Sequence, residues 1–185
     1  MGLAIVLGFD AAADRAVRGV WEAVRAATGS GKLYDLRARP HVSLAVYPEG
    51  RGGLPFGEAT AGWPLEEAVR RFRAEPLPFV LASVGTFPGA EGAVFLAPVV
   101  DEPLLRLHRE WHAIAPGGRE HYSPGAWVPH CTVGFNLPDA AVPSAVAAAA
   151  ARLPIRGRYE SLVLIEFDPK GTAPIRELVE RRFSA

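Results

Sequence analysis

Cysteine occurs once in this 185-residue chain, at Cys131, and a single thiol excludes an intramolecular disulfide framework. Lysine is nearly as scarce: Lys32 and Lys170 are the only two, so arginine carries almost all the positive charge. Beside so many alanines, glycines and prolines, that bias reads as composition more than as a phosphate-binding device. Neither sign of charge is in excess, since 20 basic residues meet 20 acidic ones, and the molecule as a whole offers no broad positive field for a long nucleic acid. Any preference for phosphate has to be local. Long hydrophobic runs are missing too, and nothing approaches the roughly 18 apolar residues of a membrane span. The stretch from Leu3 to Phe9 has no basic segment before it and no small-residue cleavage site after it, so it reads as a strand and not a signal peptide. The expectation is a cytoplasmic protein forming a single domain over residues 1–185, with no membrane association and no obligate protein partner.

What is present is an alternation of strand-like and helix-like segments. After the first strand, Asp10 is placed to cap a helix whose Val17, Val20, Trp21 and Val24 recur at helical spacing until Gly29. Pro40 to Tyr47 reads as the next strand, and the Gly/Pro-rich segment 48–62 as a loop. A helix over Trp63 to Arg73, strands over Pro78 to Phe87 and Gly92 to Val100, and a helix over Glu102 to Ala115 follow. Pro129 to Phe135 reads as a strand, Asp139 to Arg152 as a helix, and Arg158 to Phe167 with Ile175 to Phe183 as two last strands. Several strand pairs are joined too closely for parallel crossovers, so the pattern predicts an α+β fold with antiparallel pairing.

Two short segments resemble each other: Pro40-His41-Val42-Ser43-Leu44-Ala45 and Pro129-His130-Cys131-Thr132-Val133-Gly134. A strand sends alternate side chains to opposite faces, so His41 shares a face with Ser43, and His130 with Thr132. Small residues at Ala45 and around Gly134 are expected to leave room on that face. If the two strands face one cleft, it holds two imidazoles and two hydroxyls. Histidine can give or take a proton near neutral pH, and a hydroxyl can donate to a phosphoryl oxygen without adding a full charge.

These paired His-x-Ser/Thr motifs resemble the signature of the two-histidine (2H) phosphoesterase superfamily, which includes bacterial 2'-5' RNA ligase-like proteins and cyclic nucleotide phosphodiesterases. The resemblance implies a bilobal α+β fold, two antiparallel sheets with flanking helices around a central cleft, the lobes related by a pseudo-two-fold axis and each contributing one motif strand. It implies metal-independent chemistry without a cofactor on 2',3'-cyclic phosphate ends of RNA or on small cyclic phosphates. His41 and His130 would be the catalytic pair, and Ser43 and Thr132 would bind phosphate. Run backwards, the same site would join a cyclic phosphate end to a hydroxyl. Which histidine is the acid and which the base stays open, and a non-enzymatic binder of RNA or nucleotides using the same cleft is the alternative.

Other features compete. His108 and His112 lie four apart on one expected helix with His121 nearby, a spacing that suits a metal, but Leu104, His108, Trp111 and Ala115 also trace a core-facing stripe. Gly29-Ser30-Gly31-Lys32 lacks the earlier glycine and the following Ser/Thr of a phosphate loop and reads as a cap and turn. Cys131 points away from His130 and is expected in the core. Tyr122 and Trp127, at the entry to the second motif, either stack a nucleobase or pack the loop. Arg37 and Arg39, before the first motif, are candidates for positive potential at the cleft.

Overall fold

The computed structural model describes residues 1–47, 65–87 and 92–184. Strand β1 (Gly2–Phe9) leads to Asp10, whose carboxylate accepts from the backbone nitrogens of Ala12 and Ala13 at 2.9 and 2.8 Å. Those bonds occupy two of the free donors that begin helix α1 (Ala11–Thr28). Ala13, Val17, Val20, Trp21 and Val24 bury one stripe of that helix. Gly29 ends it at φ 75°, a left-handed conformation that glycine adopts without strain. A one-turn helix α2 (Lys32–Asp35) follows, so the Gly-Ser-Gly-Lys segment is a helix stop and restart.

The chain continues through β2 (His41–Tyr47), α3 (Leu65–Arg71), β3 (Leu77–Thr86), β4 (Val94–Pro98), α4 (Glu102–Ile114), β5 (Cys131–Gly134), α5 (Val142–Ala150), β6 (Ile155–Phe167) and β7 (Arg176–Arg182). The loop expected over 48–62, the start of the helix expected at Trp63, and the Pro88-Gly89 turn lie outside the described residues.

The expectation of two sheets is corrected. One seven-stranded sheet runs in the order β2-β1-β6-β3-β4-β5, with β7 also paired to β6 and every pairing antiparallel. The cause is the length of β6. Its first half, Ile155 to Tyr159, pairs with β3, and the remainder, through Phe167, pairs with β1. The strand expected from Arg158 in fact begins three residues earlier, at Ile155, and takes in Gly157. Gly157 is there because α1 crosses at that point: a Cβ on Gly157 would lie 2.4 Å from Ala13 Cβ and 2.9 Å from Phe79 Cζ.

The helices share one face of the sheet and its main core, with α1 against β5 and β6, α5 against β3 and β4, α3 against β6 and β7, and α4 against β2. Trp111 of α4 is fully buried, a burial worth roughly 1.5–3 kcal/mol for a large apolar side chain. Its indole nitrogen donates to Tyr47 Oη at 3.1 Å, and Tyr47 in turn donates to the Ala115 carbonyl at 2.7 Å, fastening α4 to the end of β2. The opposite sheet face carries a smaller apolar cluster, Ala4, Val6, Val46, Val163 and Ile165. Although β2 and β5 stand at opposite ends of the strand order, they come back into contact. The sheet therefore curls, and its second face is the concave one that carries both motifs.

Candidate active site

On β2 the motif pairs with β1 as Gly8 to His41, Leu7 to Val42 and Val6 to Ser43, after which the register slips and Ile5 pairs with Ala45. Leu44 is the extra residue of a β-bulge. On β5, Leu96 pairs with Cys131 and Phe95 with Thr132, then Val94 with Gly134, so Val133 is the extra residue there. Each motif thus bulges at the residue after its hydroxyl side chain. The bulge corrects the expected room at Ala45: the strand phase inverts, Ala45 turns into the main core and Val46 takes its place on the concave face. The space beside Gly134 is likewise filled, since a Cβ there would meet Leu137 Cδ1 at 2.7 Å.

Each bulge has a tryptophan beside it. Trp127 Nε1 donates to the Ser43 carbonyl at 2.9 Å, and Trp21 Nε1 donates to the Thr132 carbonyl at 3.2 Å. The indoles supply donors at the points where the ladder is interrupted.

The two imidazoles are held alike. His41 Nδ1 lies 2.6 Å from the Arg39 carbonyl, and His130 Nδ1 lies 2.7 Å from the Val128 carbonyl. A carbonyl oxygen only accepts, so each Nδ1 carries the proton and each Nε2 is left as the basic ring nitrogen. Both rings, with Ser43 and Thr132, line one cavity of about 610 Å³, within the usual range for a small-molecule site.

Burial is the main cause that lowers the pKa of His41 below its ordinary 6.5; the bond to the Arg39 carbonyl works against it, and repulsion from His130 and Arg39 adds to it. His130 is lowered too, by burial first, opposed by the Val128 carbonyl and reinforced by His121. The two environments differ otherwise. His130 packs edge-on against Phe87, ring centroids 4.8 Å apart, with Phe95 at 5.3 Å. His41 stands opposite Gly8, where a Cβ would lie 2.4 Å from the Ser161 hydroxyl and 3.7 Å from the Arg39 guanidinium. Without a side chain at Gly8, Ser161 and Arg39 can close in beside His41.

Of the other candidates, Tyr122 lines the cavity and its ring lies 6.5 Å from that of His130. Trp127 does not line it. Its ring stacks flat on His108, centroids 4.0 Å apart, and its N–H is spent on Ser43, so the base-stacking expectation for Trp127 is replaced by a framework role. Arg39 lines the cavity but is paired with Glu177 and Glu180 at 3.3 and 3.5 Å. Arg37 is exposed and is not among the lining residues.

His108 and His112 are both buried, and each Nε2 faces a backbone carbonyl, Tyr122 at 2.8 Å and Leu44 at 3.1 Å. They fix α4 to the entry loop and to β2 respectively. Burial, with repulsion from His112 second, lowers the His108 pKa to about 4, so its working form is the neutral donor. Among the described residues no group of three or more His, Cys, Asp or Glu is arranged to hold a metal ion. Cys131 is buried in the main core, and burial raises its pKa to about 12, which keeps it a thiol.

The sequence reading missed Arg119 as a cavity residue and weighed His121 only as a metal ligand; both line the cavity. The available signal was their place in a charged, glycine-flanked loop just ahead of the second motif, since loops held by a rigid scaffold are where binding residues gather.

The sequence model of the 2'-5' RNA ligase superfamily matches residues 11–171. Among solved structures, that of E. coli LigT complexed with NADP+ has a TM-score of 0.58 at 17% identity, over 99% of this chain and 97% of that one. LigT complexed with 3'-AMP gives 0.59 at 14% identity over 99% and 97%. TT0787 of Thermus thermophilus gives 0.56 at 19% identity over 98% and 97%. At these identities the likeness is one of fold. No curated protein sequence is significantly similar. No described helix is long and apolar enough to cross a membrane. The family match takes in both histidine motifs, the bulged strands that carry them and most of the sheet, and with it the chain belongs to the 2'-5' RNA ligase superfamily of two-histidine phosphoesterases.

Proposed function

We propose that this protein is a metal-independent phosphoesterase that opens 2',3'-cyclic phosphates, at RNA ends or on small molecules, with His41 and His130 as the acid-base pair. The observation that carries the reading is the matched pair of Nδ1 to carbonyl bonds, which leaves two Nε2 atoms for one cavity. One Nε2 takes a proton from water as the water oxygen attacks phosphorus. The other, protonated, gives its proton to the ribose oxygen as the P–O bond breaks. After one turnover the two histidines have exchanged protonation states, and solvent restores them. Ser43 and Thr132 donate to the phosphoryl oxygens as negative charge collects there. With a ribose hydroxyl in place of water as the nucleophile, the same two proton transfers would open the cyclic phosphate and join two ends, so ligation is part of the same proposal. The fold under this reading is one domain of two similar halves, each supplying one histidine strand, and the ligands that LigT carries, such as 3'-AMP, are of the kind this cavity would take.

The experiment is turnover of nucleoside 2',3'-cyclic phosphates in excess EDTA, followed by phosphorus NMR to identify the monoester product. Sustained hydrolysis supports the proposal. Binding that protects the cyclic phosphate from hydrolysis without consuming it would leave a nucleotide-binding protein in its place.

A further inference from the structure

Resting on that reading, we propose that the substrate is a single nucleotide-sized cyclic phosphate and that the cavity does not track a polynucleotide strand. Among the described residues, Arg39, Arg119 and Asp168 are the arginines and carboxylate that line the cavity. Arg39 is engaged by Glu177 and Glu180 of β7, Asp168 adds a carboxylate to the wall, and Arg119 is the cavity-lining cation with no carboxylate partner among the described residues. Burial lowers the pKa of both His41 and His130, which disfavours their charged forms before substrate arrives. A strand-binding groove instead tracks the backbone with a succession of cations and exposes aromatic platforms for successive bases. Here the chain is neutral overall.

Much of the wall is apolar: Leu33, Leu36, Ala38, Phe135, Phe167 and Ile175 line it. These come from α2, the segment before β2, the ends of β5 and β6, and the approach to β7. A volume of about 610 Å³ holds one nucleoside and its phosphate with room to turn, and the apolar lining suits a base or another ring of that size. The chemistry that fits is one phosphate, neutralised by Arg119 and polarised by the two motifs, attached to one largely uncharged ring system.

The test compares two ligands that differ only in added backbone: adenosine 3'-monophosphate and hexaadenylate ending in the same 3'-phosphate. Calorimetric titrations of the wild-type chain are made at several salt concentrations from 50 to 200 mM, alongside turnover of the matching 2',3'-cyclic forms. Each phosphate contact on a single strand adds roughly 0.7 to the slope of log K against log salt. The expected result is affinities within 5-fold of each other and slopes differing by less than one. A hexamer that binds more than 5-fold tighter, or whose slope is steeper by one or more, overturns the proposal; if its cyclic form is still hydrolysed, the proposed function stands. No binding and no turnover of either ligand removes the function and this inference together. Arg119→Ala is expected to weaken both ligands by a similar factor, about 5-fold, and to flatten both slopes. Loss confined to the hexamer would show that Arg119 reads the strand and would overturn the proposal.

Discussion

The indole nitrogen of Trp127 donates to the carbonyl oxygen of Ser43 at 2.9 Å, joining the segment that leads into the second motif to the strand that carries the first. Because Trp127 also lies flat on His108, whose Nε2 holds the Tyr122 carbonyl, the loop from Tyr122 to Trp127 is anchored at both ends before it delivers His130. Trp127→Phe keeps a ring for the stack and removes the donor. The expected cost is about 1 kcal/mol in urea unfolding, the scale of one hydrogen bond, with a fall of about 10-fold in kcat and little change in KM, since misplacement acts on the reacting geometry. A variant with wild-type kcat would mean that this bond supports folding alone.

His41→Ala and His130→Ala should each lower kcat by roughly 10²–10⁴-fold on a cyclic phosphate. The double variant is expected to lose little beyond the worse single one, because groups that act as a unit are not additive. Ser43→Ala and Thr132→Ala should be milder. Thr132→Val in particular keeps the β-branched shape at the bulge while removing the hydroxyl. Wild-type turnover by folded His130→Ala would make the second motif structural.

Burial, the largest cause for both, lowers the pKa of His41 and of His130 below the ordinary 6.5. The profile of kcat/KM against pH follows the free enzyme, so its alkaline limb, where the acid histidine loses its proton, should fall below pH 6.5. The profile of kcat follows the bound state, in which an anionic phosphate between the rings favours the protonated form. Its alkaline limb should therefore lie higher. The limbs describe the pair and not one residue. An alkaline limb of kcat/KM at pH 7.5 or above would contradict the lowered pKa values of the pair.

Acid should destabilise the fold through His108. Its pKa is about 4 in the native state against 6.5 ordinarily. Above 6.5 both folded and unfolded chains leave it neutral. As pH falls from 6.5 towards 4 the unfolded chain takes up a proton that the native state refuses, and stability is lost across that window, on the order of 3 kcal/mol in all. Urea midpoints at pH 7, 5.5 and 4 measure it. His108→Phe should be about 1–3 kcal/mol less stable at pH 7, having left the Tyr122 carbonyl without its donor. The same variant should show a shallower loss towards acid, and an unchanged slope would assign the acid sensitivity elsewhere.

The polar half of the site was legible because two motifs repeat a spacing that strand geometry converts into a shared face. Helix α1 was legible for a similar reason, with Asp10, a regular apolar stripe and Gly29 all agreeing on its limits. The single sheet was not, because it depends on β6 being long enough to serve two sets of partners, and Gly157 disguised its first half. For Trp127 the sequence leaves base stacking and loop packing both open, because exposure and partner are tertiary facts: nothing local says that an indole is stacked on His108. The pairing of Arg39 with β7 is equally non-local, joining residues from opposite ends of the chain.

The matched bulges at Leu44 and Val133 let each motif strand place one more apolar side chain in the core than a regular ladder would. A histidine and a hydroxyl face the cavity ahead of each bulge, and the strand then turns into the core with Leu44 and Ala45 in one motif and Val133 in the other. Removing Leu44 alone would restore a regular ladder with Ser43 still opposite Val6 and Ala45 still opposite Ile5, so His41, Ser43 and Val46 would keep their face and the core would lose one leucine. The bulge residues therefore serve the core, and what ties each motif to the rest of the fold at that point is the indole that donates to the carbonyl of its hydroxyl residue.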